Sequence, residues 1–336
     1  MSVRKEADRA SAAAQARTSA LARRFQRAAT KSLISMSERM DSILRKFRYK
    51  GGFVSKAEAR RWLSGRVDHD VYNDLVGIIA EVPDKRERMR MLDRLNASTM
   101  AYNYNRLDAI KDIIKVNRRV LEKAIRDDVA PMLFDMTDDL YSRQMFMVQK
   151  QVGVGWRMDS IPGGQITALF NSRLESTVER YGFVVSRNLL DAVTEGLLTG
   201  QTPQEISKAV SSANVPPSRT VATVRTMMTE VSNEAEMKAL KDSGIAKYEY
   251  VATLDEVTCP VCGRLDGRVF AVADAKKGIN MPPMHPNCRC THIAALSDDV
   301  KTELTRFARD SEGKRISVPA SMTYEQWRAK FYGQTK

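Results

Sequence analysis

Apolar residues recur at Leu21, Phe25, Leu33, Ile34, Met40, Ile43, Leu44 and Phe47, at spacings that place them on one face of a helix beginning near Leu21. Before Leu21 the chain has helix formers, alanine and arginine, but almost no apolar face to bury. Residues 2–20 are therefore expected to fray or to fold only on a partner. Gly51 and Gly52 end this segment. From about Lys56 to Ser243 the pattern predicts helix after helix. Leu75, Ile78, Ile79 and Val82 form one stripe before a turn at Pro83. A longer stripe runs through Leu107, Ile110, Ile113, Ile114, Val120, Leu121 and Ile125, and Pro131 is expected to kink or end it. Met145 and Met147 fall in the next helix. Four glycines and a proline between Val152 and Gly164 predict a loop or short hairpin, which is the best internal boundary.

Beyond it, Leu169, Leu174, Val178, Tyr181, Val185, Leu189, Leu190, Val193 and Leu197 trace a long amphipathic helix closed by Gly200. Thr202 as N-cap, Pro203 at the first helical position and Glu205 as the returning side chain form a capping box. Pro216 and Pro217 open a helix over about 218–243, stopped by Gly244. The period then changes to alternation. Tyr248, Tyr250, Ala252 and Leu254 fall on one face, and Glu249, Val251 and Thr253 on the other, as in a strand.

Composition adds two constraints. With 43% hydrophobic and 28% charged residues, the 336-residue chain has enough material for two ordinary cores. It reads as a soluble protein of a reducing cytoplasm, because no window approaches a membrane span and the N-terminus lacks a secretion signal. The net charge of +13 is concentrated: residues 1–66 hold 17 Lys and Arg against 5 Asp and Glu, leaving 37 against 36 for the rest. A basic helical N-terminal arm is thus expected to meet double-stranded DNA non-specifically, through Arg17, Arg23, Arg24, Arg27, Lys31, Arg45, Lys46 and Arg48. Their irregular spacing, with Phe25 the main aromatic, suits backbone neutralisation better than base readout. A solubilising helical face is the alternative. The 17 methionines are read as core filler.

All four cysteines lie within 32 residues, as Cys259-Pro260-Val261-Cys262 and His285-Pro286-Asn287-Cys288-Arg289-Cys290. Two short-spaced ligand pairs with a hairpin-sized insert suit a tetrahedral structural zinc site, because each pair spans one edge of the tetrahedron. Within the insert, Leu265-Asp266-Gly267-Arg268-Val269-Phe270 predicts a hairpin turned at Asp-Gly. Five donors compete for four places. Cys259, Cys262, Cys288 and Cys290 are preferred, with His285 as the alternative ligand. Disulfides are disfavoured in a reducing compartment, and a catalytic metal lacks a visible general base. His69 and His292 are read as solvated or packed side chains, and Asp255 and Glu256 as strand-end or outer-sphere groups.

The run Tyr250–Asp255, Thr258–Cys262, Leu265-Asp266-Gly267, Pro282-Pro283 and His285–Cys290 resembles the phage Mu F-like minor head (head morphogenesis) family. The resemblance extends upstream through Gly196–Gly200 and the capped helix after Thr202 to Arg225-Thr226, where Met227 replaces an expected Glu and Thr229-Glu230 offers a Thr-Glu pair one turn later. It implies a non-enzymatic virion protein associated with the portal vertex and other head proteins, needed for head assembly and sometimes accompanying the DNA, and present in the host cytoplasm while heads assemble. The expected fold is mainly α, with a small α+β zinc-binding module at the C-terminus. Its parts are a basic helical arm over 1–66, a helical region over 67–152, a Mu F-like domain over 165–300 with the zinc module at 246–296, and a tail over 301–336. The tail carries a short aromatic helix near Thr323–Trp327, expected to dock on its own domain. Two rival readings are a virion-carried nuclease or toxin using His285 and Asn287, and a DNA-binding protein with no role in the head.

Overall fold

The computed structural model describes residues 3–100, 104–152, 163–213, 215–295 and 305–332. The described residues begin with the helices α1 (Val3–Lys46), α2 (Lys56–Leu63), α3 (His69–Ala80), α4 (Lys85–Met100), α5 (Arg106–Val152), α6 (Gly163–Leu198), α7 (Pro203–Ser212) and α8 (Pro217–Asp242). A short α/β region follows: β1 (Lys247–Val251), α9 (Pro260–Leu265), β2 (Val269–Ala271), β3 (Thr291–Ala294), β4 (Thr305–Arg309), β5 (Arg315–Pro319) and α10 (Tyr324–Tyr332). These elements make two compact units. One comprises Arg23–Ala130 and Glu175–Thr220; the other comprises Met1–Ala22, Pro131–Leu174 and Val221–Lys336. The mainly helical class with a small C-terminal sheet is as the patterning predicts.

In the unit built on Arg23–Ala130, α1 supplies a buried stripe of Phe25, Ala29, Leu33, Met36, Met40, Ile43 and Leu44, which Phe47 extends just past its end. Ile34, expected on that stripe, is half exposed. The Phe25 ring meets Tyr181 of α6 edge-on at 4.6 Å, and the Ser37 hydroxyl donates to the Ser207 carbonyl of α7 at 2.8 Å. Beyond α1, the Tyr49 hydroxyl donates to the Gln201 carbonyl, and the Gly52 amide donates to the Gly200 carbonyl at 2.7 Å. Gly200 has φ +73, and a Cβ there would stand 2.9 Å from the Phe53 backbone. Within the stretch expected as a basic arm over 1–66, the part of α1 from Arg23 to Lys46 buries its apolar stripe except at Ile34. The helix also begins at Val3 rather than near Leu21, so the expected fraying of residues 2–20 is not what the backbone adopts from Val3. α5 runs through Pro131 without ending, as a proline inside the helix. The Thr202 capping box forms as predicted: the Thr202 hydroxyl accepts from the Glu205 amide and the Glu205 carboxylate accepts from the Thr202 amide. The glycine-rich boundary near 152–164 and the boundary at 300 fall mostly outside the described residues.

In the other unit, β1 is the centre of a three-stranded antiparallel sheet of order β2-β1-β3, with Tyr248 opposite both Phe270 and Ala294 and Tyr250 opposite His292. Tyr248, Tyr250, Ala252 and Leu254 are all buried, as the alternation predicts, although Glu249 on the other face is buried as well, and the four apolar positions seed three small cores. Tyr248 packs with Met237, Leu240, Val272, Met281 and Ala294. Tyr250 and Ala252 pack with Cys262, Cys288 and Cys290. Leu254 packs with Ala308, Val318, Tyr324 and Trp327.

Two expectations change in this unit. Asp266-Gly267 does not turn a hairpin between 265 and 270. The segment after Cys259 is the helix α9, Gly267 (φ +75) leads out of it, and β2 pairs with β1 instead. The Asp266 carboxylate is then buried as a structural acceptor. It takes the Ala252 amide at 2.7 Å, the Tyr324 amide at 2.7 Å and both Arg306 Nη groups at 3.0 Å. The region after 301 is not a detached tail. β4, β5 and α10 close over Leu254, the Trp327 side chain is fully buried, and its indole N–H donates to the Arg309 carbonyl at 2.9 Å. The aromatic helix thus docks on its own domain.

Candidate metal centre

The first ligand pair sits where a turn becomes a helix. Cys259 is the N-cap of α9 and Pro260 its first residue, so the Cys262 amide points back at the Cys259 Sγ at 3.4 Å and turns both sulfurs inward. No Cβ fits at Gly263 one residue on, because it would meet the Tyr324 ring at 2.4 Å. The second group lies on the loop entering β3. Asn287 there adopts φ 64, a left-handed conformation that asparagine tolerates and that reverses the chain between His285 and Cys288.

The five candidate donors converge. Cys259, Cys262 and His285 form one trio and Cys262, Cys288 and Cys290 another, with the ligand atoms of each trio within 4.8 Å of one another. Cys262 belongs to both. Its Sγ lies 4.0 Å from that of Cys288 and 3.5 Å from His285 Nε2. Metal–sulfur bonds of about 2.3 Å and metal–nitrogen bonds of about 2.0 Å give tetrahedral edges of roughly 3.8 Å between sulfurs and 3.5 Å between sulfur and nitrogen. The donor set therefore fits a metal ion of that size. Cys262, Cys288 and Cys290 are buried and no disulfide joins them. His285 stands with the Cys259–Cys262 pair, so it is a candidate donor alongside the four cysteines.

The electrostatics agree. Hydrogen bonds from Cys262 and Cys290 hold the Cys288 thiol well below its usual range, while its interaction with Cys288 and Cys290 pushes Cys262 far up. Burial raises the Tyr250 hydroxyl, which faces the Cys290 and Cys262 thiols, above its usual value. Within the buried trio the Cys288 thiolate is favoured while Cys262 and Cys290 are pushed up, and Cys259 is lowered despite its burial, by hydrogen bonds from Cys262. A divalent cation is the charge that lets several thiolates share so small a volume.

Side chains of α8 hold most of the backbone around the second donor group. Arg225 Nη1 donates to Asn287 Oδ1 and the Asn287 amide donates to Thr226 Oγ1, both at 2.7 Å. Thr229 Oγ1 donates to the Cys288 carbonyl at 2.8 Å and Asn233 Nδ2 to the Cys290 carbonyl at 3.3 Å. Thr291 Oγ1 donates to Glu236 at 2.9 Å, and His292 Nδ1 lies 2.8 Å from Asn233 Oδ1. On the far side, Arg289 pairs with both oxygens of Asp255, and Thr253 Oγ1 donates to the Arg289 carbonyl at 2.9 Å. His292 is a packed core histidine, as expected. Sequence reading noted Thr226 and Thr229 only for the family resemblance and missed Asn233 and Glu236, although the three- and four-residue spacing of all four on α8 marks a polar stripe.

Residues 187–293 match the model of a family described as Phage Mu protein F like protein. The chain carries a Mu F-like segment. This segment holds α7, α8, β1 and every candidate ligand from Cys259 to Cys290. The family points to phage head morphogenesis, with other head proteins as partners and the virion as the location. No curated protein and no solved structure matches the chain. No described helix is long and apolar enough to cross a membrane.

The eight basic residues proposed for DNA divide into two sets. Arg17 pairs with Asp139 at 3.0 Å, Arg45 with Asp41 at 2.9 Å and Lys46 with Asp74, while Arg24 donates to the Asp128 carbonyl at 3.2 Å. Arg23, Arg27, Lys31 and Arg48 are exposed, and no ion pair engages them among the described residues. Arg23, Arg27 and Lys31 follow one another at four-residue spacing on the outward face of α1.

Proposed function

We propose that this Mu F-like protein is a structural component of a tailed-phage head. In this reading it sits at the portal vertex, assembles in the host cytoplasm, and has its C-terminal module closed by one structural zinc ion. The supporting observation is that the family match encloses the whole donor cluster and the helix that braces it. In a structural zinc site all four positions belong to the protein, and five donors around Cys262 leave no open position for substrate.

A nuclease reading is less well supported. His285 already meets the Pro286 carbonyl at 2.8 Å and Cys262 Sγ at 3.5 Å, and Asn287 is tied to Arg225 and Thr226, so neither side chain is poised toward a substrate. The exposed row Arg23, Arg27 and Lys31 suits contact with the phosphates of packaged DNA. Mass spectrometry of purified particles, with density maps of intact and emptied virions, tests the assignment. The protein should be found in a few copies at the portal vertex, and its absence from particles overturns the reading. Plasmid cleavage that is lost in His285→Ala would establish an enzyme instead.

A further inference from the structure

The polar stripe of α8 does more than fill space beside the donor cluster. The loop from His285 to Cys290 makes a left-handed reversal at Asn287, and little apolar packing holds its outer side: Pro286 and Asn287 are exposed. A chain in that conformation directs Cys288 and Cys290 toward Cys262 only if its backbone groups are fixed from outside. Three consecutive steps of α8 meet that need, since Thr226 accepts the Asn287 amide, Thr229 donates to the Cys288 carbonyl and Asn233 donates to the Cys290 carbonyl. Asn233 is itself immobilised. Its Nδ2 also donates to the Thr229 carbonyl at 2.7 Å, and its Oδ1 faces His292 Nδ1, which orients the amide and places the proton on Nδ1.

We infer that Thr229 and Asn233 are positioning residues of the metal centre, which hold the backbone of Cys288 and Cys290 so that both sulfurs face Cys262 and thereby set the metal affinity. The inference rests on the zinc reading. Outer-sphere partners of this kind typically control affinity by about 10–100-fold.

The test uses full-length protein purified without chelator, with zinc affinity measured by competition against a chromophoric chelator and the ligand field read from the cobalt(II) spectrum. Wild type, Thr229→Val, Thr229→Ser and Asn233→Ala are compared, together with the thermal unfolding of each metal-depleted form. Thr229→Val and Asn233→Ala should bind zinc roughly 10–100-fold more weakly with an altered cobalt spectrum, and Thr229→Ser should restore both. A purely structural role would lower the unfolding temperature of the depleted forms and leave affinity and spectrum unchanged, which overturns the inference. If wild type binds zinc and Thr229→Val binds it equally well, the positioning role fails while the metal reading stands. If wild type takes up no stoichiometric metal, both fail.

Discussion

Replacing Arg306 by methionine tests whether the strands and helix after residue 304 belong to the module that carries the candidate metal donors. The Asp266 carboxylate is fully buried, and the Arg306 guanidinium is 15% exposed. Arg306 meets both Asp266 oxygens at 3.0 Å and also donates to the Met322 carbonyl at 3.2 Å and to the Ala252 carbonyl. Methionine keeps much of the aliphatic volume and removes the charge. Asp266 would then keep only the Ala252 and Tyr324 amides, so a buried carboxylate loses its counter-ion, a change that costs about 3–5 kcal/mol. At roughly 2–4 °C per kcal/mol for a unit of this size, the loss corresponds to about 6–20 °C in thermal unfolding. Adding Asp266→Asn to Arg306→Met removes the uncompensated charge while keeping an acceptor for one amide, so the double variant should be more stable than Arg306→Met alone. Calorimetry of wild type and the two variants checks both statements. A shift below about 2 °C for the single variant, or a double variant no better than the single, would refute the claim that this ion pair clamps the hairpin and α10 onto the module.

Four further outcomes are expected. Cys262→Ser should abolish stoichiometric metal uptake, whereas Cys259→Ser or His285→Ala should weaken it less, because only Cys262 belongs to both trios; elemental analysis decides. Burial raises the Glu236 carboxyl from an ordinary 4.5 to about 7, so its folded form favours the proton; the associated stability is complete below about pH 4.5 and is lost as the pH rises through 7. Glu236→Gln should therefore gain on wild type as the pH rises across that window, measured as the difference between paired denaturant titrations. Gly263→Ala forces a Cβ to within 2.4 Å of the Tyr324 ring and should destabilise by about 1–3 kcal/mol, read in the same titration. Changing Arg23, Arg27 and Lys31 together to glutamine should flatten the dependence of log K for duplex DNA on log salt by up to about 2.7, while Arg45 and Lys46, already paired with Asp41 and Asp74, should contribute less.

Local signals carried the parts of this structure that local rules govern. The Thr202 capping box, the helix stops at Gly200 and Gly244 and the facing of β1 all follow from periods and caps that need only a few neighbouring residues. The convergence of the candidate donors was legible for the same reason, since short spacing between donors is itself a geometric statement. The place of α1 was not, because an apolar stripe says that a face will be buried and not which helix buries it. Asp266-Gly267 misled for a related reason. The dipeptide encodes a turn but not what flanks it, and a cysteine N-cap followed by proline at 259–260 is the stronger helix signal. The α8 side chains that hold the donor loop were hidden by distance along the chain. Thr229 meets Cys288 and Asn233 meets Cys290, each pair separated by nearly 60 residues.

These contacts also indicate why such a module would use a metal at all. Its apolar material is divided among three small clusters seeded by Tyr248, Tyr250 and Leu254, and in the middle one three of the five fully buried members are cysteines. A cluster made of thiols offers little hydrophobic stabilisation, and it sits between the other two, where β1 passes from one to the next. Covalent-strength bonds from one ion to ligands on α9 and on the loop before β3 would supply at that point what packing does not. The flanking clusters are secured by other means, Trp327 and the Arg306–Asp266 pair on one side and the α8 residues Met237 and Leu240 on the other. Removing the ion should then disrupt the middle first. Hydrogen exchange on chelation should show protection lost at Cys259–Leu265 and His285–Cys290 before it is lost at Tyr248 or Trp327, and uniform loss across all three clusters would contradict this division of labour.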